Sequence, residues 1–201
     1  MAEASAAAAQ VSGQTRDISV HALTRQDSAE GNLTWVAATE RPDLLAPPVA
    51  AALDRVPGAR VAPIDATLAD TAAFCEAYDV APEASANCVV VEARRGEVTT
   101  LAAVMVLATD RADINRVVRR HLGARKISFA DQAKAEELTG MEQGGITPVG
   151  LPGDWPVLVD QAVAAAGSVV VGAGVRGAKL LLDAVVLTEL PGAEVLDLAV
   201  R

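Results

Sequence analysis

The sequence predicts an α+β fold of about six strands, on three observations. Two long apolar runs, "NCVVVEA" (87–93) and "LAAVMVLA" (101–108), flank the polar connector "RRGEVTT", which contains a glycine. That is the pattern of a β-hairpin. Both runs are apolar almost without interruption, so both faces of the sheet they enter are expected to be covered. The strand and helix candidates along the chain also lack regular β-α-β alternation, which separates them from a doubly wound parallel sheet.

The elements run in this order. "LTWVAA" (33–38) is a short strand candidate, and "APPVAAALDRVPG" (46–58) is a helix with prolines in its first turn and Pro57-Gly58 at its end. "LADTAAFCEAYDV" carries Leu68, Ala72, Cys75 and Tyr78 at helical spacing. After the hairpin, "RADINRVVRRHLG" (111–123) has one apolar stripe of Ile114, Val117, Val118 and Leu122, closed by Gly123. "SFADQAKAEELTG" opens with Ser128 three residues before Asp131, like a capping box, and ends at Gly140. A loop over 141–156 leads to the strand "VLVD", a short helix or turn "QAVAAAG", and "SVVVGAGVRGAKLLL" (168–182).

Bulk properties bound the function. The 201 residues are enough for one domain with a real core, expected over 18–201, with residues 1–17 as a disordered tail. The hydrophobic fraction is 51% but aromatics are 2%, so the core rests on many small aliphatic contacts. A net charge of −9 repels phosphate backbones and argues against broad DNA binding, while leaving room for a local basic pocket that takes one end of a nucleic acid. Cys75 and Cys88 form no C-x-x-C pair, and His21 and His121 belong to no ligand cluster, so no metal site is expected. The start has no basic n-region, and the longest apolar run (162–175) is shorter than the ~20 residues of a membrane span. A cytoplasmic protein that engages no membrane is the expectation.

Gly172, Gly174 and Gly177 have the G-x-G-x-x-G spacing of a dinucleotide-binding turn. That fingerprint requires a helix after the glycines and a further parallel strand, and it normally opens a fold rather than ending one. A glycine turn joining two strands of a hairpin is the preferred reading, and no nucleotide cofactor is expected.

"TGMEQGGITPVGLP" (139–152) is similar to the T-G-x-x-x-G-G-[IV]-[ST]-P-[FVL]-G signature of the YbaK/EbsC-type proteins, free-standing relatives of the editing domain of bacterial prolyl-tRNA synthetases. "HLGARKISFAD", "PVLVDQAV", "VVVGAGVRGAKLLLDAVVL" and "SANCVVVEAR" resemble stretches of the same family, so the likeness covers roughly 70–201. It implies a mixed, barrel-like sheet wrapped by helices, and an editing deacylase that hydrolyses the ester of a mischarged tRNA without metal or cofactor. The implied partner is the 3′ acceptor end of the tRNA, with an aminoacyl-tRNA synthetase as a second candidate.

The resemblance also implies a site. Gly144 and Gly145 would bring backbone N–H groups to the ester carbonyl, and Ile146, Thr147 and Pro148 would line the acyl pocket with Gly172. On this view a Gly145→Val change abolishes turnover and leaves the fold intact. The family's lysine on the first central strand is matched here by Asn87, which can donate a hydrogen bond but carries no charge. Lys126 and Lys179 are the candidate substitutes, each weighed against a plain surface lysine. Strand alternation suggests that Asn87 and Cys88 cannot both face the pocket, and neither Cys88 nor His121 is expected to act in catalysis. The alternative is a catalytically silent module that binds the tRNA end or a small ligand, having lost the lysine.

Overall fold

A computed structural model describes residues 29–200, so the expected tail over 1–17 lies outside the described residues. The predicted hairpin forms β3 (Ala86–Arg95) and β4 (Val98–Leu107), in register from Ala86↔Leu107 to Arg95↔Val98. Gly96, at φ 64°, makes its tight turn. β5 (Lys126–Phe129) joins β3 on one side, while β6 (Val157–Asp160) and then β9 (Ala193–Leu196) add in parallel beyond β4. This five-stranded sheet has the order β5-β3-β4-β6-β9. The second sheet has the order β1-β2-β8-β7, from β1 (Val36–Ala37), β2 (Arg60–Pro63), β7 (Ser168–Gly172) and β8 (Ala178–Asp183). The fold is α+β, with nine strands among the described residues rather than about six. Neither sheet closes into a barrel. The strands expected to form one continuous sheet are instead shared between two.

The uninterrupted apolar runs have a direct physical meaning. Along β4, Ala103, Met105 and Leu107 enter the main core between the sheets, whereas Ala102, Val104 and Val106 enter a second cluster on the other face. β8 divides likewise, with Leu180 and Leu182 in the main core and Leu181 in a third cluster with Phe74 and Cys75. Period-two alternation thus serves two cores at once, and each such buried large aliphatic side chain contributes roughly 1.5–3 kcal/mol. The helices include α1 (Pro47–Ala50), α2 (Thr71–Tyr78) and α3 (Gln132–Thr139).

Several local expectations are corrected. The helix expected over 46–58 is the single turn α1 followed by a 3-10 turn at Leu53–Arg55, and residues 38–40 leave the strand for a 3-10 turn. The Ala46 N–H donates to Ala173 O at 3.1 Å and anchors the start of α1; beyond Ala50 the chain tightens to i→i−3 bonds, Ala52 N–H to Val49 O at 3.0 Å and Arg55 N–H to Ala52 O at 3.1 Å, despite its alanine content. Leu68 lies in a 3-10 turn ahead of α2. Residues 111–123 form a π-turn at Ile114–Val118 and a short α segment at Arg119–His121, with Gly123 closing them at φ 61°. Ser128 is not a cap but part of β5; Asp131 caps α3 by accepting from the Lys134 N–H at 3.1 Å. The glycine run is a strand-to-strand connection, β7 to β8, as preferred. No helix comes directly after its glycines, so the dinucleotide fingerprint lacks its second half. Only Gly174 of the three has positive φ, 81°.

Candidate functional site

A cavity of about 530 Å³ opens where the two sheets meet. β3 supplies one wall, the ends of β7 and β8 another, and the loop 141–150 with the start of α2 closes the remaining sides. β3 pairs with β5 only from Val91 to Arg94, so its stretch ahead of Val91 has an open edge. The cavity runs along that edge and touches every residue from Ser85 to Val90. Asn87 and Cys88 therefore both line it, against the expectation from simple alternation. An exposed strand edge presents backbone from both parities, whereas a sheet face presents one.

The loop is fastened to the glycine turn backbone to backbone. Glu142 N–H donates to Gly174 O at 2.8 Å, and Gly174 N–H to Gly145 O at 2.8 Å. The Arg176 N–H donates to a Glu142 carboxylate oxygen at 2.6 Å, and the Arg176 guanidinium donates to Gln143 O at 3.1 Å and Ala66 O at 3.2 Å. Such contact leaves no space for side chains. A Cβ on Gly145 would stand 2.5 Å from the Val175 backbone, and one on Gly172 2.2 Å from Gly145 O.

This packing redistributes the roles read from the loop sequence. Gly145 N–H donates to Glu142 O at 2.9 Å inside the loop, and Gly145 does not touch the cavity. Gly144 and Ile146 do line it, and neither of their amides donates a hydrogen bond among the described residues. Thr147 and Pro148 are buried away from the cavity lining, and the Thr147 hydroxyl has no partner among the described residues. A branched side chain at Gly145 therefore strikes backbone before it meets any ligand, so Gly145→Val cannot leave the fold intact as expected.

Lys179, on β8, also reaches the cavity. It is 6% exposed, which contradicts the plain-surface reading. Its ammonium donates to Ala69 O at 2.9 Å and lies 5.0 Å from the centre of the Phe74 ring. Burial is the main cause that pushes its pKa down to about 8; Arg176 adds to this, while Cys75 and Asp70 oppose it. One of three ammonium donors is engaged by the protein. Asn87 is half-buried and accepts the Thr71 hydroxyl through its side-chain oxygen. Its NH₂ group makes no hydrogen bond among the described residues. Asn87, Lys179, Gly172, Gly144 and Ile146 thus meet at one cavity, together with Thr71.

Lys126 does not join them. It is exposed on β5, opposite Arg94 in register. His121 pairs with Glu194 at 3.2 Å and does not line the cavity, and burial pushes the Cys88 thiol up to about 12, so neither is placed to act there as base or nucleophile. Sequence reasoning missed Thr71 and Arg176. Thr71 was legible only as a helix start after Asp70, and Arg176 as one basic residue in a glycine turn. It also missed the buried Glu92, whose carboxyl is held below the usual range by Lys134 and then Arg94. Among the described residues no group of three His, Cys, Asp or Glu side chains could hold a metal ion, and no helix is long and apolar enough to cross a membrane.

Comparison with known proteins places the family and the fold. The family model for the aminoacyl-tRNA editing domain matches residues 65–190. The fold is similar to that of a candidate trans-editing enzyme for prolyl-tRNA synthetase, with a TM-score of 0.67 and 24% identity over 78% of this chain and 97% of the other. It is also similar to hypothetical protein APE2540, with a TM-score of 0.62 and 24% identity over 71% and 91% of the two chains. A candidate signal transduction protein of Marinobacter aquaeolei VT8 shares the fold over 77% of this chain and 30% of its own, at a TM-score of 0.51 and 19% identity.

Proposed function

The chain belongs to the aminoacyl-tRNA editing domain family, and from that premise we propose that it is a free-standing deacylase for mischarged tRNA. One observation supports this above the rest: Lys179, Asn87, Gly144 and Ile146 line one cavity. In the proposed reaction water adds to the ester carbonyl carbon, with a neighbouring ribose hydroxyl helping to remove its proton. The tetrahedral intermediate then expels the 3′ oxygen of the terminal adenosine, giving a free amino acid and a 3′ hydroxyl. The developing oxyanion is stabilised by the Lys179 charge and the amides of Gly144 and Ile146, a role worth a few kcal/mol per well-aimed donor. Asn87 orients the water or the carbonyl through its NH₂ group. Lys179 replaces, from the opposite sheet, the positive charge that the family's lysine supplies on the first central strand. Lys126 has no part in this chemistry.

In this reading Gly145, Thr147, Pro148 and Gly172 shape the cavity wall rather than touch the reacting atoms, and the enzyme is one domain that works in the cytoplasm beside the synthetases. The second reading, a silent module that binds the tRNA end, draws support from the uncharged Asn87.

A panel of mischarged tRNAs separates the two. At least one should be deacylated, and Asn87→Ala should slow that reaction by roughly 10- to 1,000-fold. No cleavage of any member would favour the silent module. Brisk activity untouched by Asn87→Ala would remove Asn87 from the site and leave Lys179 as its charged centre.

A further inference from the structure

The chain is acidic, yet eight of its 17 Lys and Arg lie between residues 94 and 126, against three of its 26 Asp and Glu. The fold gathers these cations beside the cavity. β5 runs along β3, which sets Lys126 opposite Arg94, and Arg125 N–H donates to Arg94 O at 2.8 Å. The turn after Arg119–His121 is tied in by Ala124 N–H to Arg119 O at 3.0 Å. Arg95, Arg111 and Arg120 are exposed and have no carboxylate partner among the described residues.

Arg94 and Lys126 point to one face of the sheet, where Arg94 is paired with Glu92; Arg95 shares the other face with Val91 and Phe129, the face covered by the turns of 111–123. At the cavity end of this second face stand two residues of the lining, Arg111 and Phe129. Phe129 is 65% exposed, an unusual place for a ring in a chain with only two phenylalanines, the other being fully buried. It occupies the last position of β5, an edge strand with no neighbour on its outer side. A planar apolar ring and a guanidinium lining one cavity are suited to stacking a nucleobase, with the phosphate on the cation. The other flank of Asn87 carries no cation. A second, more open cavity shares Thr71 and Asn87 with the first, and its charged residues are Glu76 and Asp79, whereas the first sets Arg111 and Lys179 against Asp70 and Asp110. The second cavity repels a polyanion.

We propose that the unpaired 3′ end of an RNA enters the cavity over the Phe129–Arg111 rim, one base stacked on Phe129, with its phosphates and adjoining duplex on the face that carries Arg95, Arg111 and Arg120. The inference rests on the deacylase reading for the identity of the ligand, but it assigns the path by which that ligand arrives. The acidic body then orients the RNA by repulsion, and the basic face captures it.

The test uses the full chain and uncharged, fluorescently labelled RNA hairpins, one with a short unpaired 3′ tail and one blunt. The tailed hairpin should bind more tightly. Phe129→Ala should cut its affinity roughly ten-fold or more without changing the salt slope, and Phe129→Tyr should restore it. Arg111→Gln should lower the slope of log affinity against log salt by about 0.7–0.9. Arg55→Gln, the same charge change in the 3-10 turn Leu53–Arg55, should alter binding less than about two-fold. Equal binding by wild type and Phe129→Ala, or an equal loss from Arg55→Gln and Arg111→Gln, would overturn the proposal. Phe129-dependent RNA binding with no mischarged tRNA cleaved would keep the rim and discard the deacylase. Cleavage with a KM unchanged in Phe129→Ala would do the reverse.

Discussion

The two sides of the cavity are built by different physics. On one side the loop 141–150 and the turn 173–177 lie against each other through backbone hydrogen bonds and glycines that leave no room for a Cβ. On the other, the rim formed by Arg111, Phe129 and the β5 face is exposed and held by few contacts of its own. The first wall is specified by shape and tolerates almost no change. The second is specified by charge and by one ring, and its residues can be exchanged at little structural cost. A site for a long, charged substrate with a small reactive end needs both: a fixed surface where bonds break and a permissive one where the substrate arrives.

Substitutions test this contrast in decreasing order of effect. Gly145→Val should be the most severe, because its Cβ would lie 2.5 Å from the Val175 backbone and two methyls would extend beyond it. A loss of stability of about 3 kcal/mol or more is expected, seen as a lowered thermal midpoint together with lost turnover. A variant that unfolds like wild type would break the picture of a zippered wall.

Lys179→Met should divide stability from activity. The lysine's pKa is pushed down to about 8 from an ordinary 10.5, so between these values the unfolded chain binds the proton that the folded chain has released. Stability from this group therefore rises with pH from about 8 to 10.5, and at pH 7 the fold carries the full cost of a buried charge. Removing that charge should raise stability at pH 7 by on the order of 1–3 kcal/mol and abolish that rise with pH. Turnover should fall roughly 100- to 1,000-fold. In wild type kcat should decline as pH passes about 8, where the ammonium is lost. A profile flat to about pH 10, near the lysine's ordinary value, would show that the charge does no chemistry.

Lys126→Gln should be the mildest. An exposed residue on an edge strand should shift stability by no more than about 0.5 kcal/mol, with kcat unchanged. A loss of kcat comparable to that of Lys179→Met would move the charged centre from the wall to the rim.

The legibility of the sequence divides along the same line. Elements whose pattern reports burial on both faces, such as β3, β4, β6 and the β7–β8 hairpin, could be read because alternation and apolar runs are local properties. The glycine turn was legible as a hairpin connection because no regular β-α-β alternation surrounds it. α1 was misread because this turn packs against Ala173, Gly174 and Gly150, partners far along the chain, while its own alanines favour a longer helix. Lys126 and Lys179 are alike as letters, and only the fold separates an exposed lysine on an edge strand from one buried over Phe74. The loop motif located the site but not its donors, because which amide is left over depends on how the loop closes on itself: Gly145 commits its N–H to Glu142, and Gly144 and Ile146 do not.

The brace at α1 has a consequence in time as well as in space. Gly174, whose Cβ position would lie 2.4 Å from Ala46, and Gly150, 2.3 Å from Pro48 O, are pressed onto the same short turn, which itself bonds to Ala173. Three distant segments of chain therefore move together or not at all, and the glycine-lined wall can open only when all of them let go. Hydrogen exchange at Gly174 should accordingly report a cooperative, sub-global event rather than local breathing. A pocket so tied discriminates among ligands by exclusion at a fixed boundary, with no closing step in which the wrong one could be accommodated.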